Sequence, residues 1–566
     1  MGWVMRRNRE ATRQLRAAGT ATRGRLYLTV AFFALCYAAV AGRLVLLAQT
    51  QQDPAVAGYG AEDALAAMRP DIVDRNGEIL ATDIKTPSLY ANPRQIIDRD
   101  DVIDRLTEVL PDLNRAKLRH DLSQDRSFVF VRREMTPAQQ AEIFELGIPG
   151  IGFVDENRRV YPSGNAASHV LGAVSVDHQG LAGIENYIDR EGYAALREAG
   201  LTDNQSGQPI QLALDLRVQH SLRDELVNAM QTYDAKAAAG VILNVHTGEI
   251  VAMSSLPDYD PNDPQQALDP DKLNRAMTGV FELGSTFKAF TAAMALDSGV
   301  ATLNSTYDAR NPIRVARFQI SDFHPQRRIL TVPEVFIYSS NIGSAKMALD
   351  VGVEGHKAFL RRMGLLDRLQ TELPESALPL VPADWKELST MTIAFGHGLS
   401  VTPMQAATAA AALVNGGYLI KPTFLRRSKE EAQKIATRVI KSETSDEMRY
   451  LMRLNVEKGT ATKADIAGYR VGGKTGTAEK IVGGHYAKNK LLTSFMGAFP
   501  MDNPEYVIMI MLDEPKGTKE THGYATSGWN AVPVSGSIIG RIAPMLGVVP
   551  RLDRPEEGNS PILASF

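Results

Sequence analysis

Cysteine is almost absent from this sequence, because its 566 residues include a single one, Cys36. No intrachain disulfide can form, so the fold must be held by core packing even in an oxidising compartment. The sequence also lacks a His and Cys cluster with the spacing of metal ligands. We therefore predict no disulfide framework, no metal site and no cofactor.

A strong net charge is absent too, since the formal value is −3. Residues 1–25 nevertheless contain seven arginines and a single acid, Glu10. A nucleic-acid-binding protein would carry basic residues on a folded domain, whereas this block adjoins an apolar segment. The pattern favours a membrane and predicts no nucleic-acid partner.

A long apolar run begins directly after the arginines. Leu26 to Gly42 contains seventeen residues without a charge, and four apolar residues follow Arg43. Residues 26–48 are thus long enough to form a single transmembrane helix, if Arg43 reaches towards the headgroups. The preceding arginines predict a cytoplasmic N-terminus with the bulk of the chain on the other side. The alternative is a signal peptide cleaved after Ala39-Val40-Ala41, but the apolar run continues past that site.

The chain is longer than one hydrophobic core usually supports, so two or more domains are expected. Residues 49–68 read as a polar stalk. In the first domain, Asn76-Gly77 between two apolar segments predicts a hairpin, followed by a helix over 101–110 and a strand over 128–131. Thr136-Pro137-Ala138-Gln139 is a helix capping box. These signals predict an α+β domain without convergent chemistry.

The second domain begins near Pro209, with a helix predicted from Arg217 to about Tyr233. Apolar strands are predicted near both its ends, at 240–245, 249–254, 492–499 and 506–512. Helical sequence fills the space between them. This arrangement predicts an antiparallel sheet that joins the first and last strands and carries helices on its faces.

Gly284-Ser285-Thr286-Phe287-Lys288 opens an apolar, helix-forming segment that reaches Ala295. Ser285 and Lys288 would then lie on one helical face, where a neutral lysine can accept the serine proton. Ser285 could equally be a simple N-cap and Lys288 a solvated side chain. A Ser-x-x-Lys pair is expected about once by chance in a chain of this size, so the pair alone favours the simpler interpretation.

Two further motifs follow in order. Ser339-Ser340-Asn341 comes after a capping box at Thr331-Val332-Pro333-Glu334 that opens a short helix. Ser339 could relay protons and Asn341 could bind a substrate amide, although the tripeptide is also an ordinary turn. Lys474-Thr475-Gly476-Thr477 follows Val471-Gly472-Gly473, and a strand with glycine there would let an extended substrate pair along its edge. A glycine-rich loop is the alternative.

Taken together, these motifs resemble the Ser-x-x-Lys, Ser-x-Asn and Lys-Thr-Gly set of penicillin-binding proteins and serine β-lactamases. Segments of the first domain are similar to motifs of the class B penicillin-binding proteins: Arg69 to Gly77, Arg159-Val160-Tyr161-Pro162, His169 to Gly172 and Gly180 to Glu185. Thr247 to Met253 and Val401 to Gln405 match later landmarks. Leu283 replaces the family's usual proline, and His397 stands where glutamine is common.

The resemblance implies a multidomain α+β protein. Its parts would be a cytoplasmic tail 1–25, a transmembrane helix 26–48, a stalk 49–68, an elongated pedestal (dimerisation-type) domain 69–205, a transpeptidase domain 206–550 with the serine β-lactamase-like fold, and a polar tail 551–566.

The resemblance also implies the chemistry. Ser285 would attack the D-Ala–D-Ala bond of a stem peptide, with Lys288 as base and Ser339 and Lys474 passing the proton to the departing D-Ala. Thr475, Gly476 and Thr477 would bind substrate, and the N–H groups of Ser285 and Thr477 would form the oxyanion hole. Asn341 would complete the catalytic set. An amine of a second stem peptide would then release the acyl group, and β-lactams would acylate the same serine.

Several relatives share the motifs. A serine β-lactamase would need a deacylating residue that the sequence does not reveal, and a β-lactam sensor usually follows several spans. Asn341 resembles the septal, FtsI-type enzyme, whereas the elongation type commonly has aspartate there. We therefore expect a single-pass protein of the inner membrane at the division septum. Its catalytic domain would lie in the periplasm, beside an FtsW-like SEDS glycan polymerase and other divisome membrane proteins.

Overall fold

The structure is a computed structural model that describes residues 31–43, 69–191, 209–315 and 318–552. The predicted cytoplasmic tail and stalk, and all but the first two residues of the C-terminal tail, lie outside these ranges. Residues 31–43 form a helix with exposed side chains. Among the described residues, no helix is both long and apolar enough to cross a membrane. Residues 26–30 and 44–48 of the predicted span fall outside the described part of the chain.

The chain divides into two compact units. Among the residues that follow position 68, the first contains Lys85–Asn157, and the second contains Arg69–Ile84 and the described residues from Arg158 onwards. Residues 69–84 and 158–191 of the expected first domain, 69–205, therefore group with the second unit. Strand pairing is the reason, because Ile72 pairs in parallel with Ile210 at the start of the second domain.

The strands, in chain order, are β1 Ile72–Val73, β2 Ile79–Ala91, β3 Val129–Arg132, β4 Ile151–Val160, β5 Ile210–Gln211, β6 Ala237–Asn244, β7 Ile250–Leu256, β8 Thr306–Asp308, β9 Ile313–Val315, β10 Phe318–Ile320, β11 Ile329–Thr331, β12 Tyr418–Leu419, β13 Thr437–Arg438, β14 Gly472–Val482, β15 His485–Phe499 and β16 Tyr506–Asp513.

The α-helices of the described residues after position 69 are α1 Arg99–Val109, α2 Arg115–Leu122, α3 Pro137–Glu145, α4 Ser168–Leu171, α5 Gly183–Glu191, α6 Leu216–Thr232, α7 Lys288–Ser298, α8 Val332–Ile337, α9 Asn341–Val351, α10 Val353–Arg362, α11 Glu387–Ile393, α12 Pro403–Val414, α13 Lys429–Ile435, α14 Ser442–Lys458 and α15 Ala531–Met545.

The first unit has its own small core. Leu89 and Ala91 of β2 pack against Ile103 and Leu106 of α1, and β3 pairs antiparallel with the end of β2. Thr136 forms the predicted capping box at the start of α3.

The predicted hairpin at Asn76-Gly77 is confirmed by the antiparallel pairing of β1 with β2, and Gly77 has the positive φ of 90° that this turn requires.

A five-stranded antiparallel sheet in the order β14-β15-β16-β6-β7 forms the centre of the second unit. The predicted union of its early and late strands is confirmed, because Asn244 of β6 is the partner of Tyr506 in β16. This pairing closes the domain on itself. It also leaves β14, which carries the Lys-Thr-Gly motif, at one edge of the sheet.

Both faces of this sheet are buried. Val507, Met509 and Met511 of β16 belong to one core, together with the wholly buried helix α12. The alternate residues of β16 point to a second core, formed with α6 and α15. Since side chains alternate across a strand, a strand covered on both faces reads as a continuous apolar run. That is the pattern of residues 506–512.

A buried ion network lies where residues 69–84 and 158–191 meet within the second unit. Glu185 is fully buried and accepts hydrogen bonds from Arg69 Nε and Arg159 Nε, both at 2.7 Å. Arg159 also donates to Asp83 at 3.1 Å and to the main-chain oxygen of Pro70 at 2.9 Å. Arg69, Arg159 and Glu185 come from three segments distant in sequence, so the network joins them.

We expect Arg159→Met to lower the free energy of unfolding by about 3 kcal/mol or more, because it leaves the buried Glu185 carboxylate undercompensated. Urea denaturation of the purified protein measures this change. The matched control is Arg310→Met, which removes a guanidinium from an exposed pair with Asp308 and should lower the free energy of unfolding far less. Equal losses in the two variants would contradict the structural role of the network.

Candidate active site

Ser285 lies in a short 3-10 turn, Gly284–Phe287, that leads directly into α7. The sequence predicted a helix from Ser285, and the structure shows that the regular α-helix begins at Lys288. The tighter first turn still places the two side chains on one face, with Lys288 Nζ 3.0 Å from Ser285 Oγ. Lys288 is 2% exposed, so its amine is shielded from water. The simpler interpretation, a solvated lysine, is excluded.

Ser339 occupies the turn between α8 and α9. Its φ of 55° is unusual for a residue with a side chain, and such strained backbone concentrates at functional sites. Lys288 Nζ donates to Ser339 Oγ at 3.0 Å and also to the Ser339 main-chain oxygen. The capping box predicted at Thr331 is present and fixes the start of α8. The turn therefore brings the second motif into contact with the first.

Asn341 begins α9, and its Nδ2 donates to the main-chain oxygen of Ser321 at 2.9 Å. The neighbouring Asp322 is a residue that the sequence analysis missed. Its carboxylate accepts from Ser340 Oγ at 2.8 Å and from the N–H of Ile342 at 3.0 Å. Asp322 thereby anchors the Ser-Ser-Asn turn from a distant loop. No pattern around residue 322 in the sequence signals this contact.

Lys474 completes the central group. It lies on β14, is fully buried, and its Nζ donates to Ser339 Oγ at 3.0 Å. The third motif is thus a strand and not a glycine-rich loop. Thr475 Oγ1 is 2.7 Å from Thr460 Oγ1, and Thr477 Oγ1 accepts from the N–H of Ser527 at 3.1 Å. Both threonines are therefore held in fixed orientations.

Position 476 must be glycine because the nucleophile turn, Gly284–Phe287, lies directly against it. A Cβ there would lie 2.3 Å from the Leu283 oxygen and 2.4 Å from Ser494 Oγ. Gly284, on the nucleophile turn, has a φ of 56°, and a Cβ at this position would lie 2.7 Å from the main-chain oxygen of Thr477 on β14. The two backbones are in contact through these glycines. Ser285 is consequently held against the middle of β14.

Asn455 and Thr460 support β14 through further hydrogen bonds. Asn455 is fully buried, and its Nδ2 donates to the Gly473 oxygen at 2.8 Å. Its Oδ1 accepts from the N–H and the hydroxyl of Thr460, the residue that contacts Thr475. The sequence analysis did not find Asn455 or Thr460, because neither belongs to a recognisable local motif.

The electrostatics of the site follow from burying two lysines beside one hydroxyl. Burial and the nearby Lys474 ammonium lower the pKa of Lys288 well below its usual range, and Asp322 opposes this shift. Burial lowers the pKa of Lys474 to about 7. Two ammonium groups so close would repel each other in a low-dielectric site. The site therefore favours a neutral Lys288, which can accept a proton.

Across the described ranges, no group of three or more His, Cys, Asp or Glu side chains is arranged to hold a metal ion. A hydroxyl beside a buried amine can act as a lysine-activated nucleophile, and a second serine that bridges two lysines can pass a proton between them. This is an arrangement for acyl transfer through a covalent serine ester.

Known protein families match both parts of the chain. The penicillin-binding protein transpeptidase domain matches residues 238–533, and the penicillin-binding protein dimerisation domain matches residues 64–202. The first match contains Ser285, Lys288, Ser339, Lys474 and all of the central sheet except Ala237.

Individual relatives match over most of their length. The probable peptidoglycan D,D-transpeptidase FtsI of Caulobacter vibrioides is 40% identical over 95% of this chain and 91% of its own. The probable peptidoglycan D,D-transpeptidase PenA of Neisseria gonorrhoeae is 33% identical over 86% of each chain. The crystal structure of penicillin-binding protein 3 from Mycobacterium tuberculosis, complexed with aztreonam, has the same fold, with a TM-score of 0.64 and 24% identity over 86% of this chain and 97% of its own.

The resemblance deduced from the three motifs is thereby confirmed. The transpeptidase match covers more than half of the 566 residues, and the Caulobacter relative covers nearly all of them. This chain belongs to the class B penicillin-binding proteins.

Proposed function

We propose that this protein is a peptidoglycan D,D-transpeptidase that cross-links stem peptides during septal cell-wall synthesis and is inhibited by β-lactams. The observation that carries the proposal is the position of Lys288 Nζ, 3.0 Å from both Ser285 Oγ and Ser339 Oγ. One buried amine thus touches the nucleophile and the group that can pass its proton onwards. The name of the Caulobacter relative, FtsI, points to the same reaction.

Lys288 Nζ has three polar contacts, which an ammonium fills with three N–H groups and a neutral amine fills with two N–H groups and one lone pair. The proposed base is the neutral form. The two N–H groups donate to Ser339, one to Oγ and one to the main-chain oxygen. The lone pair is then left for the hydroxyl proton of Ser285. As Ser285 Oγ attacks the penultimate D-Ala carbonyl, its proton moves to Lys288 Nζ.

Collapse of the tetrahedral intermediate breaks the D-Ala–D-Ala peptide bond. The leaving amine takes its proton from Ser339 Oγ, which regains one from Lys288, and Lys474 stabilises the charge that passes through Ser339. An amine of a neighbouring stem peptide then attacks the Ser285 ester. Its proton returns along the same path, and Ser285 is released as a free hydroxyl.

Substrate binding would use the open edge of β14. An extended donor peptide can add to this edge through main-chain hydrogen bonds, while Lys474 and Thr475 face its terminal carboxylate. Gly476 lets the turn that carries Ser285 approach this strand closely. The N–H groups of Ser285 and Thr477 would hold the oxyanion, and Asn341 would contact a substrate amide.

We assign residues 69–205 to the pedestal and 206–550 to catalysis. The apolar segment 26–48 would anchor the protein in the inner membrane, with the N-terminus in the cytoplasm and the catalytic domain in the periplasm. A septal role implies an FtsW-like SEDS glycan polymerase and other divisome membrane proteins as partners, which the span and the pedestal would contact.

Fluorescent penicillin should form a stable covalent adduct whose labelled peptide contains Ser285. Ser285→Ala should give no adduct, and Lys288→Ala should slow adduct formation by about 10²-fold or more because the general base is lost. Gel fluorescence and mass spectrometry measure both results. Absence of labelling in the wild type would indicate a non-catalytic scaffold, and rapid release with repeated turnover would indicate a β-lactamase.

Depletion of the protein should yield long filaments, because cells that elongate normally but cannot build a septum do not separate. Microscopy of a strain with regulated expression provides the measurement. Re-expression of the wild type should restore division, whereas re-expression of Ser285→Ala should not. Rounded cells would instead identify an elongation enzyme.

The pKa of Lys474 should be visible in the folding equilibrium. Because its pKa is near 10.5 when solvated and about 7 in the fold, the unfolded chain binds more protons between those values. Stability therefore rises with pH across this interval. Lys474→Met removes the effect, so its Tm relative to wild type should be highest near pH 7 and should fall towards pH 10. The matched control is Lys488→Met on the exposed part of β15, and a pH-independent Tm difference for Lys474→Met would contradict the assignment.

A further inference from the structure

Three side chains form a hydrogen-bonded chain that ends at Thr475, the second residue of the Lys-Thr-Gly motif. Thr475 Oγ1 lies 2.7 Å from Thr460 Oγ1, and Thr460 Oγ1 lies 3.2 Å from Asn455 Oδ1. Asn455 is fully buried on α14, whereas Thr460 is exposed in the turn that follows this helix. The direction in which each hydroxyl donates decides what Thr475 presents to a ligand.

The main chain fixes the orientation of the Asn455 amide. Its Nδ2 lies 2.8 Å from the Gly473 oxygen, which can only accept, and its Oδ1 lies 3.1 Å from the main-chain N–H of Thr460, which can only donate. An exchange of the two amide atoms would place donor against donor and acceptor against acceptor. Oδ1 therefore faces Thr460, and the Thr460 hydroxyl donates its proton to it.

The direction of the contact between the two threonines follows from this assignment. Because the Thr460 proton is directed to Asn455, the proton between the two threonine oxygens belongs to Thr475. Lys474 Nζ is a further donor to Thr475 Oγ1, at 3.4 Å. In this arrangement the Thr475 proton points to Thr460 and is not available to a ligand.

A carboxylate needs the opposite arrangement. Its oxygens only accept hydrogen bonds, so Thr475 must donate to the terminal carboxylate that it faces in the proposed complex. Two oxygens 2.7 Å apart repel each other without a proton between them, so Thr460 must then donate to Thr475. Both protons rotate about their own oxygens and no covalent bond changes. Asn455 Oδ1 stays paired with the Thr460 N–H, so the rotation leaves no buried acceptor unpaired.

We propose that Thr460 is a positioning residue for carboxylate recognition. The Thr460 and Thr475 hydroxyl groups reverse their direction together when the carboxylate of the donor binds, and the Thr460 proton then supports the bond that Thr475 donates. This inference rests on the proposed function, which assigns the carboxylate to Thr475. It makes a residue outside the three motifs a determinant of the preference for acidic ligands.

Acylation of Ser285 by benzylpenicillin and by its methyl ester tests the role of Thr460. The two ligands share the reactive ring and differ at the carboxylate, so the ratio of their acylation efficiencies (acylation rate constant divided by dissociation constant) reports carboxylate recognition. The full-length wild-type protein should prefer the acid. Equal efficiencies for the two ligands would overturn the proposal.

Thr460→Val keeps the shape of the side chain but removes the hydroxyl, so Thr475 loses the donor that supports its bond to the carboxylate. The variant should reduce the preference for the acid about fivefold, the value of one net hydrogen bond, and leave the efficiency for the ester within about twofold of wild type. Thr460→Ser retains the hydroxyl and should keep the preference within about twofold.

The matched control is Thr302→Val. It removes the hydroxyl of another exposed threonine, 3.3 Å from Ser305 Oγ, which lies beyond the C-terminal end of α7 and away from Ser285 at the start of that helix. It should leave both efficiencies unchanged.

The proposal is overturned if Thr460→Val keeps the wild-type preference. It is equally overturned if the efficiencies for the acid and the ester fall by the same factor, because a purely structural defect does not depend on the carboxylate. A Thr460→Ser variant that behaves like Thr460→Val contradicts the role of the hydroxyl.

Neutron diffraction from crystals of the deuterium-exchanged protein tests the rotation directly and needs no variant of Thr460. Without a ligand, the deuterium between the two threonine oxygens should be bonded to Thr475. In crystals of Ser285→Ala soaked with benzylpenicillin, it should be bonded to Thr460. Bonding to the same oxygen in both crystals would contradict the reversal.

Failure of the proposed function has a different signature. In that case neither ligand would acylate the wild-type protein at Ser285. Failure of this inference alone would leave acylation intact, with a preference for the acid that does not depend on Thr460.

Discussion

The catalytic site depends on two buried lysines that share one serine hydroxyl. Lys288 reaches Ser339 Oγ from the nucleophile helix, and Lys474 reaches it from the edge strand, each at 3.0 Å. Two ammonium groups in so small a buried volume repel each other, and this constraint favours one neutral amine, the form that the proposed base requires. The surrounding structure maintains it: Asp322 anchors the turn that holds Ser339, Asn455 supports β14, and Gly284 and Gly476 let the two backbones touch.

The order of the motifs and most of the elements that carry them could be predicted from the sequence. Capping boxes at Thr136 and Thr331, the hairpin at Asn76-Gly77 and the apolar strands at both ends of the second domain are all encoded by neighbouring residues. The pairing of β6 with β16 could also be inferred, because two groups of strands separated by helices need a common sheet. For these elements, local sequence signals and the general rules of sheet architecture were sufficient to predict the structure.

The rest depends on contacts between residues far apart in the chain, and no local pattern reports those. Asp322 bonds a turn eighteen positions later, and Glu282 bonds Tyr486 across 204 positions. The first domain illustrates the same limit. Its predicted start at residue 69 stays a prediction, and the parallel pairing of Ile72 with Ile210 groups residues 69–84 with the second compact unit.

Because β14 lies at the edge of the central sheet, it can pair with a substrate peptide as proposed, but it can also pair with an unwanted strand. A strand with free main-chain groups is a template for any extended chain, including another copy of the same protein, and natural proteins protect such edges. Here the pairing of β14 with β15 is regular from Gly472 to Glu479 and is then interrupted by a register shift before Lys480. Irregularities of this kind twist a strand away from flat contact. The register shift thus divides β14 into two shorter stretches, Gly472 to Glu479 and Lys480 to Val482, and this shortens the continuous edge that another strand could pair with.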